Sequence, residues 1–106
     1  MELDGLWGAV LVDLDWDLPQ HRLTLLVELR GEPSTAQHSL LLEGVTDVRF
    51  STSIPQPWSY SEITEIRLAS TASALRVVEI VLWSEDAKLT VTCQRASLDG
   101  AALTDQ

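Results

Sequence analysis

The sequence has little cysteine, little lysine and few aromatics, and it has no long apolar run. Each scarcity closes off a class of protein. The one cysteine, Cys93, cannot form an intramolecular disulfide, and with only His21 and His38 to join it there is no Cys/His set at zinc-ligand spacing. Stability must therefore come from packing. Lys88 is the sole lysine, and with Arg22, Arg30, Arg49, Arg67, Arg76 and Arg95 it makes seven scattered cations against sixteen Asp and Glu. A chain of net charge −9 with no basic cluster repels a nucleic-acid backbone or an anionic membrane surface. No stretch approaches the roughly 18 consecutive apolar residues of a membrane-spanning helix. Met1-Glu2-Leu3-Asp4 carries acid where a secretory signal carries Lys or Arg, so a cytoplasmic location is expected. Gly-rich phosphate loops, HExxH and GxSxG are all missing.

What is present is alternation. The chain has 106 residues, 45% of them hydrophobic and spread evenly, which suits one domain with one core. Period-2 patterning marks half-buried strands. Val10, Val12, Leu14 and Trp16 alternate with Asp13, Asp15 and Asp17, and after a turn at Leu18-Pro19-Gln20 the chain places Leu23, Leu25, Val27 and Leu29 opposite Arg22, Thr24, Glu28 and Arg30. The two segments read as a hairpin. A loop at Gly31–Thr35 precedes an extended segment from His38 to Glu43, then Gly44 as a bulge or turn, then Val45 to Phe50 with Val48 and Phe50 on one face. Ser51 to Ser61 holds Pro55, Pro57, Trp58 and Tyr60 and is the longest irregular stretch. Ile63 and Ile66 have helical spacing while Ile66 and Leu68 have strand spacing, and the segment is assigned as a short strand. A final hairpin runs from Leu75 to Trp83, turns at Ser84-Glu85-Asp86-Ala87 and returns through Leu89, Val91 and Cys93.

No segment sustains a 3.6-residue period, so the expected fold is all-β: an antiparallel meander forming a sandwich or half-open barrel, with at most short helical turns. The expected core comprises Leu25, Val27, Leu40, Leu42, Val48, Val77, Ile80, Val81, Leu89 and Val91. Residues 1–98 form the domain, and residues 99–106 are expected to fray. Both faces of Val77 to Leu82 are apolar, which predicts a central strand covered on both sides.

Several clusters could carry chemistry. Asp13, Asp15 and Asp17 project from one strand face about 7 Å apart, within reach of a shared cation. An EF-hand loop begun at Asp13 would need Gly and Glu where this chain has Leu18 and Thr24. A solvated acidic face, or a charged guard on a sheet edge, accounts for the pattern without metal. Cys93, in a strand with Leu89 and Val91, fits a buried hydrophobe better than an activated thiolate, since no cation or histidine neighbours it in that strand. His21 and His38 sit in no catalytic motif. Trp58 and Tyr60 suit either a partner-binding loop or a plug over the open end of a sandwich. Trp7 and Trp16 raise the same choice, with Trp16 the better core candidate because it continues the apolar face of Val10, Val12 and Leu14.

The order of elements, with His38-Ser39-Leu40-Leu41-Leu42-Glu43-Gly44-Val45, the Pro/Trp loop, Glu62-Ile63-Thr64-Glu65-Ile66, Val78-Glu79-Ile80 and Leu89-Thr90-Val91-Thr92-Cys93, resembles the YxiG-like and immunity protein 50 families of bacteria. Those are small β-rich proteins of polymorphic toxin systems, in which an immunity protein binds and blocks a cognate toxin. The resemblance spans roughly residues 6 to 98 and implies stoichiometric binding of a protein partner, such as a basic toxin domain, without catalysis, cofactor or metal. The expected partner-binding residues are Trp58, Tyr60, Asp13, Asp15 and Asp17. The rival classes are a structural or assembly module and a small ligand- or metal-binding domain built on the three aspartates.

Overall fold

Strict alternation folds where it is strongest. Arg22–Leu29 forms a strand (β2) in which Leu23, Leu25 and Val27 are buried and the residues between them are not. It pairs antiparallel on one side with β1 (Val10–Asp17) and on the other with β3 (Ala36–Glu43), where Leu40 and Leu42 face the same interior. The computed structural model describes residues 3–29, 35–53, 61–71, 74–82 and 87–103. Its remaining elements are a 3-10 turn at Leu3–Leu6, β4 (Asp47–Thr52), β5 (Ser61–Ser70), β6 (Arg76–Leu82), β7 (Ala87–Cys93), β8 (Arg95–Leu98) and β9 (Ala101–Ala102). The described residues contain no α-helix, and the all-β expectation holds.

The nine strands form one open antiparallel sheet in the order β4-β7-β6-β5-β1-β2-β3-β8-β9. Only Gln94 separates β7 from β8, although these strands lie second from opposite ends of that order. One residue spans at most about 3.5 Å and a strand spacing is about 4.8 Å, so a flat sheet is impossible and the two halves must fold over each other. The short β3–β4 link makes the same crossing, tied by Val45 N–H to the His21 carbonyl (2.9 Å), Thr46 N–H to the Thr92 carbonyl (2.9 Å) and Gln94 N–H to the Glu43 carbonyl (2.9 Å). At the opposite side the described residues of the halves share the pairs Val10↔Glu62 and Leu11↔Ser61, extended by the hydrogen bonds of Gly8 N–H to the Ile63 carbonyl (2.7 Å) and Ile63 N–H to the Ala9 carbonyl (2.7 Å). Between them lies one core, with Leu23, Leu25, Leu40, Leu42 and Leu98 from the first half and Ile63, Ile66, Val78, Ile80, Leu89 and Val91 from the second.

Two irregularities explain where simple alternation fails. The ladder slips between Ile63 and Glu65, so Ile63 and Ile66 both face the core despite their three-residue spacing. What resembled a helical turn is a bulge in a ten-residue strand. A second slip lies between Leu11 and Asp13. Leu11 packs against the core, Leu14 and Trp16 register with Leu25 and Leu23, and Val12 is the extra residue.

Three expectations need correction. Val12, Leu14 and Trp16 are not core residues but are 48%, 42% and 45% exposed, because nothing among the described residues covers the far end of β1. Val77 is half-buried and points away from the core, on the face opposite Val78, Ile80 and Leu82; Val48 points inward but only packs against the rim. The end of the chain does not fray at residue 99. Asp99 and Gly100, at φ 52° and 85°, make the two-residue turn of a β8–β9 hairpin, and Leu103 is buried. The rest of the expected core, Leu25, Val27, Leu40, Leu42, Ile80, Val81, Leu89 and Val91, is buried. The sheet face of β6 opposite the core is covered in part, with Val81 buried and Val77 and Glu79 half-buried.

Candidate functional site

The chain reaches its most unusual surface through the β1–β2 turn. Pro19 takes the position of the turn where its fixed φ fits, His21 N–H closes the turn onto the Leu18 carbonyl (3.1 Å), and His21 itself adopts φ 54°. This tight turn sets the register of β1 on β2, and register decides which side chains share a face. Asp13, Asp15 and Asp17 lie opposite Leu26, Thr24 and Arg22 on the outer face. Leu14 and Trp16 lie opposite Leu25 and Leu23, on the face that elsewhere forms the core.

Strand β1 therefore presents acid on one face and exposed apolar surface on the other, with Leu18 continuing the apolar end. Beyond Leu11, where the β5 pairing stops, no described strand pairs with its second side. An unpaired strand edge offers a row of free N–H and C=O groups to another chain.

The aspartates have few partners of their own. Asp13 accepts the N–H of Leu14 (2.9 Å) and Asp17 that of Gln20 (3.4 Å). Most cations are engaged elsewhere: Arg49 with Asp47 (2.8 Å), Arg67 with Glu65 (2.5 Å), Lys88 with Glu79 (3.1 Å) and Arg95 with Glu43 (3.8 Å), while Arg76 donates to the Leu103 carbonyl. No described cation forms an ion pair with Asp13, Asp15 or Asp17. Among the described residues no three His, Cys, Asp or Glu side chains cluster closely enough to hold a metal ion.

The other expected site residues separate. Trp58 and Tyr60 lie outside the described residues. Trp7 is 48% exposed just after the 3-10 turn. Cys93 is fully buried, and burial pushes its thiol pKa up, against the pull of the Arg76 guanidinium. That arginine is its cross-strand neighbour, a cation that inspection of the Cys93 strand alone did not reveal.

Two further features escaped sequence reasoning. Asp99 fastens the β8–β9 hairpin to β3, accepting the Ser39 N–H (2.8 Å) and bonding His38 Nδ1 (2.6 Å), while its own N–H donates to the Ser39 carbonyl (2.8 Å). Those bonds, the Ser39 N–H foremost and then His38, hold the Asp99 carboxyl below its usual pKa. A shallow cleft of about 450 Å³ lies where the β1–β2 turn, the β3–β4 bend and Gln94 meet, lined by His21, Arg22, Glu43, Thr46 and Arg95 among others. Its residues are distant in sequence, so no local motif marks it.

Fold and surface together define a small all-β domain in which part of β1, like the terminal strands β4 and β9, has a side that no described strand pairs. Compared with known proteins, the chain matches no family model and no curated protein.

Proposed function

We propose that this domain works by stoichiometric binding of a protein, and that its partner is a basic toxin domain that it neutralises. The observation that carries the reading is β1, where apolar side chains stand exposed on one face and carboxylates that no described cation pairs with stand on the other. Exposed large apolar side chains grouped on one strand mark an interaction site. Net charge −9 adds a field that speeds encounter with a basic partner. The resemblance to bacterial immunity proteins supports the same role. Growth protection is the direct test: the protein is co-expressed in a sensitive host with the toxin encoded beside its gene. Restored growth together with a purified one-to-one complex is the expected result. Continued toxicity despite soluble protein, with no complex, would refute the reading.

A second reading draws on the polar cleft at His21, Arg22 and Arg95, whose mixed lining suits a small anionic ligand. A carboxylate or phosphate bound there would raise the melting temperature in proportion to the logarithm of its concentration, and Arg22→Ala would remove the effect.

A further inference from the structure

We infer that the edge of β1 over residues 13–17, with which no described strand pairs, is a strand-addition site whose occupant is an extended segment of the partner protein with basic and apolar residues in alternation. The inference rests on the protein-binding reading and specifies its chemistry. Three observations converge. The first is the open edge, because β5 leaves β1 after Leu11 and no described strand replaces it. The second is register. A strand added there must itself alternate, sending every second side chain to the face of Leu14 and Trp16 and the others to the face of Asp13, Asp15 and Asp17. On the first face an apolar side chain would extend the core begun by Leu23 and Leu25; on the second a Lys or Arg would stand directly across from carboxylate.

The third observation is charge, which also decides against other occupants. A second copy of this chain, paired edge to edge through β1, would set two rows of aspartate against each other on one face, and like charges directly opposite are destabilising. An anionic membrane is repelled by the same row. Protection of the edge from aggregation would explain the aspartates but not the apolar residues between them, since a guarded edge gains nothing from an exposed Leu14 and Trp16. Carboxylates that reject neutral or acidic strands, beside apolar groups that reward a matching one, make a selective edge.

The test uses the intact protein and synthetic peptides of about seven residues, a common strand length. One alternates lysine and valine, one holds the same residues as a lysine block followed by a valine block, and one alternates glutamate and valine. The alternating basic peptide should bind at least about ten-fold more tightly than either control, and binding should weaken several-fold as salt rises from about 50 to 300 mM. Amide hydrogen exchange should slow within residues 11–17 and leave β4 and β9 unchanged. Asp13→Lys combined with Asp15→Lys should reverse the preference toward the glutamate peptide, and Trp16→Thr should weaken binding about ten-fold with little change in melting temperature. Equal binding of the block peptide, protection confined to β4 or β9, or a homodimer formed through β1 would each overturn the inference. These outcomes separate from the toxin test: peptide capture at β1 without growth protection removes the immunity role alone, while growth protection with exchange protection elsewhere removes the edge alone.

Discussion

At the scale of single residues, three positions carry more than their size suggests. Gly44 ends β3 at φ +66°, and a Cβ there would lie 2.7 Å from the Gln94 side chain. The contact includes Gln94 Cβ at 2.8 Å, which rotation of the side chain cannot move, so a steric clash adds to the conformational cost. Gly44→Ala is expected to lower stability by more than about 1–2 kcal/mol, the penalty for a left-handed non-glycine residue alone, measured by urea unfolding. Asp99 acts through ionisation. Because its folded pKa lies below the ordinary 3.8, its contribution is present at neutral pH and lost as pH falls from that value through the folded one. Asp99→Asn should be less stable than the parent protein at pH 7 by no more than about 1 kcal/mol, since solvent screens this exposed carboxylate, with the gap closing as pH falls below 3.8. The Glu65 carboxyl, also held low by its bond to Arg67, titrates in both proteins and cancels from that difference. For Cys93, full burial and a raised pKa predict that iodoacetamide reacts only on unfolding; labelling of the native protein within minutes at pH 7 would contradict this.

Among the elements, legibility in the sequence tracked how completely a strand's neighbours cover it. In β2 and β7, with a strand on either side of each, alternation matched burial at Leu23, Leu25 and Val27 and at Leu89, Val91 and Cys93, with Leu29 at the end of β2 only half-buried. The pattern misled in β5, where a bulge breaks the period, and in β1, where a bulge takes Val12 out of the period and the alternation beyond it was read as burial although no described element covers that end. Composition alone does not tell an apolar face that meets a core from one held open. The β8–β9 hairpin did leave a signal, the Asp99-Gly100 pair, and treating the region as a tail missed it. The acidic face of β1 was legible as a site candidate; its unpaired edge was not, because pairing between distant strands leaves no local mark. The two apolar classes are separable by substitution. Ile66→Ala should cost about 2–5 kcal/mol, whereas Trp16→Ala, although it removes a larger group, should cost no more than about 1 kcal/mol. Comparable losses in the two variants would place Trp16 in the core after all.

For the molecule as a whole, the sheet's continuity and its cohesion come from different places. Among the described residues the β1–β5 junction consists of two residue pairs and the flanking hydrogen bonds of Gly8 and Ala9 with Ile63, a ladder too short to transmit unfolding from one half to the other. Cohesion comes instead from the shared core, in which Leu25 of one half and Ile80 of the other belong to one buried cluster, and from the crossings at Gly44 and Gln94 that tie the halves covalently. Neither half can expose its inner face without exposing that of the other. Unfolding should therefore be a single cooperative transition. Leu25→Ala and Ile80→Ala, one from each half, should each lower the urea midpoint, by about 2–5 kcal/mol of stability, while leaving the slope unchanged and keeping fluorescence and circular dichroism transitions superimposed. If the halves were separate units joined edge to edge, each substitution would shift only one of two resolved transitions, and the probes would diverge. A second transition in either variant would show that the β1–β5 junction, and not the core, sets the unit of folding.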